Sequence, residues 1–89
     1  MYAVVMELSF EAGLAHEAAS AFSSRLLPQV TSADGFRGGY WLEPRDGKGL
    51  GLILFDEEAQ ARSAGAPQHW QAPGVEITQV DVRRVAASA

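Results

Sequence analysis

With 89 residues, the chain has room for one thin hydrophobic core and no second, so residues 1–89 are read as a single domain. Apolar residues make up 47% and charged residues 20%, a globular balance that excludes wholesale disorder and shows no stretch long enough to span a membrane. The absence of cysteine excludes disulfides, thiolate nucleophiles and cysteine metal sites, and a net charge of -4 with seven scattered Lys and Arg excludes a basic nucleic-acid surface.

Met1 to Ser9 alternates Tyr2, Val4, Met6 and Leu8 against Ala3, Val5, Glu7 and Ser9, which predicts a first strand. Neither a basic leader nor an anchor is recognised there, and a cytoplasmic location is expected. From about Leu14 the period lengthens: Leu14, Ala18, Phe22, Leu26 and Val30 recur every fourth residue and give the stripe of a first helix. Pro28 should kink or shorten its last turn, because the ring removes a donor and crowds the turn before it.

Ser32-Ala33-Asp34-Gly35 has turn chemistry, and Phe36 to Leu42 then alternates Phe36, Gly38, Tyr40 and Leu42 against Arg37, Gly39 and Trp41. Pro44 to Gly47 makes a second turn before the apolar run Leu50 to Phe55, so the two strands form a hairpin. Asp56 is placed to cap a second helix with Glu57 and Glu58 in its first turn, running to about Ala64 and stopped by Gly65 and Pro67. Val75 to Val85 supplies the last strand, and Ala86 to Ala89 is expected to fray.

The resulting order, strand–helix–strand–strand–helix–strand, predicts an α+β, ferredoxin-like βαββαβ domain: a four-stranded antiparallel sheet with two helices on one face. Both faces of the predicted sheet carry bulk. The first strand has Val4 and Met6 on one face and Ala3 and Val5 on the other, and the third has Leu50, Leu52 and Leu54 against Ile53 and Phe55. The uncovered face would expose apolar surface, so a homodimer through the open sheet face is expected.

Asp34-Gly35-Phe36-Arg37-Gly38-Gly39-Tyr40-Trp41, followed by a turn and Leu52-Ile53-Leu54-Phe55-Asp56 leading into an alanine-bearing helix, resembles the antibiotic biosynthesis monooxygenase-like family. That family belongs to the dimeric α/β barrels. The resemblance covers nearly the whole chain in element order and implies two ferredoxin-like subunits packed sheet to sheet. It also implies a pocket between sheet and helices that takes an aromatic or polyketide-like molecule, oxidised without metal or flavin. The haem-degrading branch is described by an Asn, a Trp and a His, and this chain contains no Asn.

Candidate site residues follow from side-chain chemistry. Trp41 lines a pocket on the helix side or anchors the dimer sheet, and alternation leaves both open. Arg37, on the Trp41 face by alternation, could orient an anion or phenolate, or form a surface ion pair. His69 and Trp70, adjacent in the loop after the second helix, are the preferred element: the imidazole as general base, the indole stacking on a planar substrate. Their plainer reading is an exposed histidine and a tryptophan that plugs the core. Tyr40 and Tyr2 could give a pocket hydroxyl or pack as strand residues, and His16 reads as solvated. Two separated histidines and scattered carboxylates show no ligand spacing, so neither metal nor cofactor is expected. Two functional classes remain: a small oxygenase-like enzyme, and a noncatalytic dimeric module that binds an apolar molecule or assembles.

Overall fold

The computed structural model describes residues 1–66 and 72–89. It is an α+β fold in which strands β1 (Tyr2–Phe10), β2 (Phe36–Arg45), β3 (Lys48–Phe55) and β4 (Val75–Arg84) form one antiparallel sheet in the order β2-β3-β1-β4. Between β1 and β2 runs a helical segment that opens with a 3-10 turn at Ala12–Leu14. It continues as α1 (Ala15–Ala21), a π turn at Phe22–Leu26, and α2 (Leu27–Thr31). The short helix α3 (Glu58–Ala64) follows β3.

Alternation in β1 separates two environments. Val4 and Met6 are fully buried beside Ile53 and Phe55 of β3, and Leu26, Val30 and Ala61 from the helices close over them. Each of these large side chains contributes roughly 1.5–3 kcal/mol by leaving water. The Phe55 ring meets Phe36 edge-on, with centroids 6.2 Å apart, which ties the far ends of β2 and β3 together.

On the opposite face Val5, Leu52 and Leu50 remain 39%, 38% and 48% exposed, and Tyr40 and Leu42 from β2 reach 67% and 58%. These side chains adjoin in register, with Val5 opposite Leu52, Tyr40 opposite Leu52 and Leu42 opposite Leu50. The flank of this apolar field is polar. On β4, Gln79, Asp81 and Arg83 stand opposite Glu7, Val5 and Ala3, and Asp81 and Arg83 pair at 3.7 Å.

Four expectations require correction. Phe36 was grouped by alternation with Gly38, Tyr40 and Leu42, yet it packs on the helix-covered core together with Trp41. The register of β2 on β3 slips between Phe36 and Gly38, so Arg37 is the extra residue of a bulge, and strict alternation starts only after it. The same bulge separates Arg37 from the Trp41 face and sets its guanidinium against Asp56, with both side chains substantially exposed.

Asp56 is accordingly not the cap of the second helix. Glu57 holds that position, its backbone N–H donating to Gln60 Oε1 at 3.1 Å. Pro28 also acts differently from a simple kink: the helix reaches Thr31 because the turn before the proline widens, with Leu27 N–H donating to the Phe22 carbonyl five residues back. The proline removes an N–H that a regular helix would use, and the π turn accommodates that loss.

The Gln60 side chain packs where a Gly35 Cβ would project, 1.8 Å from Oε1, and Gly35 has φ +77°. Gly35→Ala therefore strains the left-handed turn and displaces the cap of α3. We expect a loss of about 2 kcal/mol and a fall in Tm of roughly 10 °C, read by thermal circular dichroism. An unchanged Tm would mean that Gln60 leaves without cost.

Candidate ligand pocket between the first helix and the sheet

The sequence Lys48-Gly49-Leu50-Gly51-Leu52 places glycine on one face of β3 and leucine on the other. On the helix-covered face the two glycines leave room for rings from neighbouring strands. Phe10 lies across Gly49, with Cε2 2.6 Å from where a Cβ would stand, and Trp41 lies beside Gly51, with Cδ1 at 3.3 Å. Gly39 on β2 serves the other end of the same indole, Cη2 lying 2.9 Å from its notional Cβ. Small residues in the sheet thus set two aromatic rings flat enough to floor a hollow beneath the helix.

The hollow is about 280 Å³ and is walled by Ala15, Ala18 and Ala19 of α1, Phe22, Ser23 and Leu26 of the π turn, and Leu8 and Trp41 of the sheet. Three alanines at the helix–sheet gap keep the roof high, where leucines would have filled it. Phe22 meets Trp41 with centroids 5.5 Å apart and planes at 63°, an edge-to-face contact that fixes the indole. The π turn contributes three consecutive-face residues to the wall, a placement in keeping with the tendency of such turns to occur at functional sites.

Phe10 N–H donates to the Gly47 carbonyl at 2.7 Å, holding the hairpin end of the sheet against the end of β1. Leu42, Glu43, Pro44 and Leu50 border the pocket at that end. Glu43 is the one ionisable side chain among the described lining residues. The Trp41 Nε1–H is buried and has no hydrogen-bond partner. An orphaned donor of this kind costs about 1–3 kcal/mol, so packing rather than hydrogen bonding holds the ring.

Other hollows have different chemistry. One of about 360 Å³ between α2 and α3 is bordered by Gln29, Asp34, Gln60 and Ser63 and has no aromatic wall. A third lies at the surface near His16, Glu17 and Arg25, and His16 is exposed. Among the described residues, no group of three histidine, aspartate or glutamate side chains is placed to hold a metal ion. None of the described helices is long and apolar enough to cross a membrane.

Of the residues singled out by sequence, Trp41 is on the pocket wall, which settles its face as the helix side. Tyr40 is on the open face of the sheet, away from the pocket lining, and Arg37 is in the ion pair with Asp56. Tyr2 packs against the core cluster. His69 and Trp70 lie outside the described residues. Sequence reasoning missed Phe10, Phe22 and the alanine roof as site residues. The glycine alternation in β3 was the available signal, because glycine on one face of a strand marks close approach by something else. No protein-family model matches the chain, and no match was found among the curated proteins.

Proposed function

We propose that this chain is a homodimeric, ferredoxin-like protein of the dimeric α/β-barrel kind that binds a small planar apolar molecule, aromatic or polyketide-like, in the pocket between α1 and the sheet. The observation that carries the reading is the pocket itself: apolar walls, an edge-locked indole and a phenyl ring held in place by glycines in the strands. Pockets with mostly apolar linings and few polar groups are the ordinary form of small-molecule sites. The sheet order β2-β3-β1-β4, with helices between β1 and β2 and between β3 and β4, is compatible with the ferredoxin-like arrangement.

Binding without catalysis is the better supported class, since general acid–base chemistry needs a poised titratable group and the described wall offers one carboxylate. That carboxylate, Glu43, favours a second reading in which the same pocket holds a substrate that reacts directly with dioxygen after losing a proton. His69 is the other base this reading would use.

The test is titration with 1-naphthol, a neutral bicyclic probe, followed by amide chemical shifts of the labelled protein. Ala19 is exposed at the pocket wall, so Ala19→Phe fills the space without disturbing the buried core. Shifts should cluster on Ala18, Phe22 and Trp41, and the variant should bind at least about tenfold more weakly. Saturable binding that Ala19→Phe leaves intact would place the ligand elsewhere. Oxygen consumption with anthrone, lost in both Ala19→Phe and His69→Ala, would establish the oxygenase reading over simple binding.

A further inference from the structure

We infer that the pocket selects cationic ligands: a planar apolar body lies against Trp41, and an ammonium group at the mouth pairs with the carboxylate of Glu43. The inference rests on the pocket reading above and narrows its ligand class. Glu43 acts here as a counter-ion that fixes a charge in place, and no proton is transferred.

The bulge near the end of β2 turns Glu43 toward the pocket. Leu42 pairs with Leu50 and Arg45 with Lys48, so Glu43 and Pro44 together stand opposite one residue, Gly49. Gly49 belongs to the helix-covered face, where the Phe10 ring takes the place of its side chain. Glu43 therefore continues the Trp41 side of the strand, and both Glu43 and Pro44 border the pocket. Lys48, the neighbour of Gly49, falls by alternation on the open face, and Arg45 opposite it does the same. The two cations of the hairpin thus stand across the sheet from the pocket mouth.

The Glu43 side chain has no hydrogen-bond or salt-bridge partner among the described residues. It is also the one ionisable side chain among the described lining residues, and the chain carries a net charge of -4. An entering anion is repelled with no cation to offset the repulsion, whereas an entering cation meets a free carboxylate. Trp41 adds to the same preference, because the face of an indole attracts a cation. Residues two apart on a strand are about 7 Å apart, so a bicyclic ring against Trp41 with its ammonium on a one-carbon arm reaches Glu43. Glu43 is exposed, and an ion pair in contact with water is weak, so the selectivity is a modest factor that salt erodes.

The experiment titrates three naphthalene probes of similar size into the full chain and into Glu43→Gln at pH 7, followed by amide chemical shifts. The probes are 1-naphthylmethylamine as its ammonium, 1-naphthalenemethanol and 1-naphthoate. The wild type should bind the ammonium about fivefold more tightly than the alcohol, and the carboxylate about fivefold more weakly. In Glu43→Gln the three affinities should lie within about twofold of one another, and added salt should compress the wild-type series in the same way. Circular dichroism confirms that the variant is folded. Equal wild-type affinity for the ammonium and the alcohol, or a preference that survives Glu43→Gln, would overturn the charge selection. The pocket reading stands in that case if Ala19→Phe weakens binding of the alcohol, and falls with it if Ala19→Phe does not. A wild type that binds none of the three probes would overturn both.

Discussion

Phe55→Ala is expected to lower stability by about 3–5 kcal/mol, among the largest effects of any single truncation in this core. The ring is fully buried, it closes the end of β3 opposite Tyr2 of β1, and it meets Phe36 edge-on across the start of β2. Its removal opens a void where three strands come together, beside Asp56 and the start of α3, so little of the surroundings can collapse into the space. A domain of this size has a total stability of about 5–15 kcal/mol, so such a loss removes a large part of it. Urea denaturation should show the midpoint falling steeply with the slope preserved. A loss under about 1 kcal/mol would mean that the core repacks around the cavity.

Trp41→Ala should also cost about 3–5 kcal/mol, and comparison with Trp41→Phe separates two contributions. Alanine deletes the floor of the pocket, the edge-to-face contact with Phe22 and the packing over Gly39 and Gly51. Phenylalanine keeps a ring against Phe22 while eliminating the buried N–H that has no acceptor. Loss of ring volume destabilises and removal of the orphaned donor stabilises, each by about 1–2 kcal/mol, so Trp41→Phe should lie within about 1 kcal/mol of the wild type. A large penalty in Trp41→Phe would indicate that the indole N–H has found a partner in solution, water included.

The strand pattern of the chain was readable because one face of each central strand is buried. Val4 and Met6 on β1, and Ile53 and Phe55 on β3, alternate with residues left on the open face, and a period of two survives wherever one side is dry. The reading failed at Phe36 and Arg37, where an added residue reverses the alternation. Bulges leave no mark in a hydropathy pattern beyond an interruption that a turn explains equally well. The helix cap was displaced by one residue for a related reason. Asp56 and Glu57 are both able to accept hydrogen bonds, and the choice fell to the long-range pairing of Asp56 with Arg37, which local sequence does not contain.

For the site, Trp41 was legible as an aromatic without an assigned face, and the structure supplies the face. The rest of the pocket was hidden because its shape depends on what is missing. Alanines in α1 and glycines in β3 read as helix formers and strand breakers when taken singly. Only their juxtaposition across the helix–sheet gap turns them into a cavity. The proposed roles of His69 and Trp70 rest on sequence, and the His69→Ala oxygen assay addresses the first of them.

Among the described residues, all three register slips in the sheet add their extra residue to an outermost strand: β2 gains one near Arg37 and another between Leu42 and Arg45, and β4 gains Thr78 against β1. Thr78 Oγ1 turns inward to donate to the Glu7 carbonyl at 3.1 Å, and Pro44 removes a donor near the end of β2. Both rims of the sheet are therefore crimped, and a strand from another molecule finds no straight ladder to extend. The greasy surface, by contrast, sits on the broad side of the sheet. The crimped rims thus oppose rim-to-rim growth, which has no natural end, whereas the proposed stacking of broad sides would stop once two copies had hidden theirs.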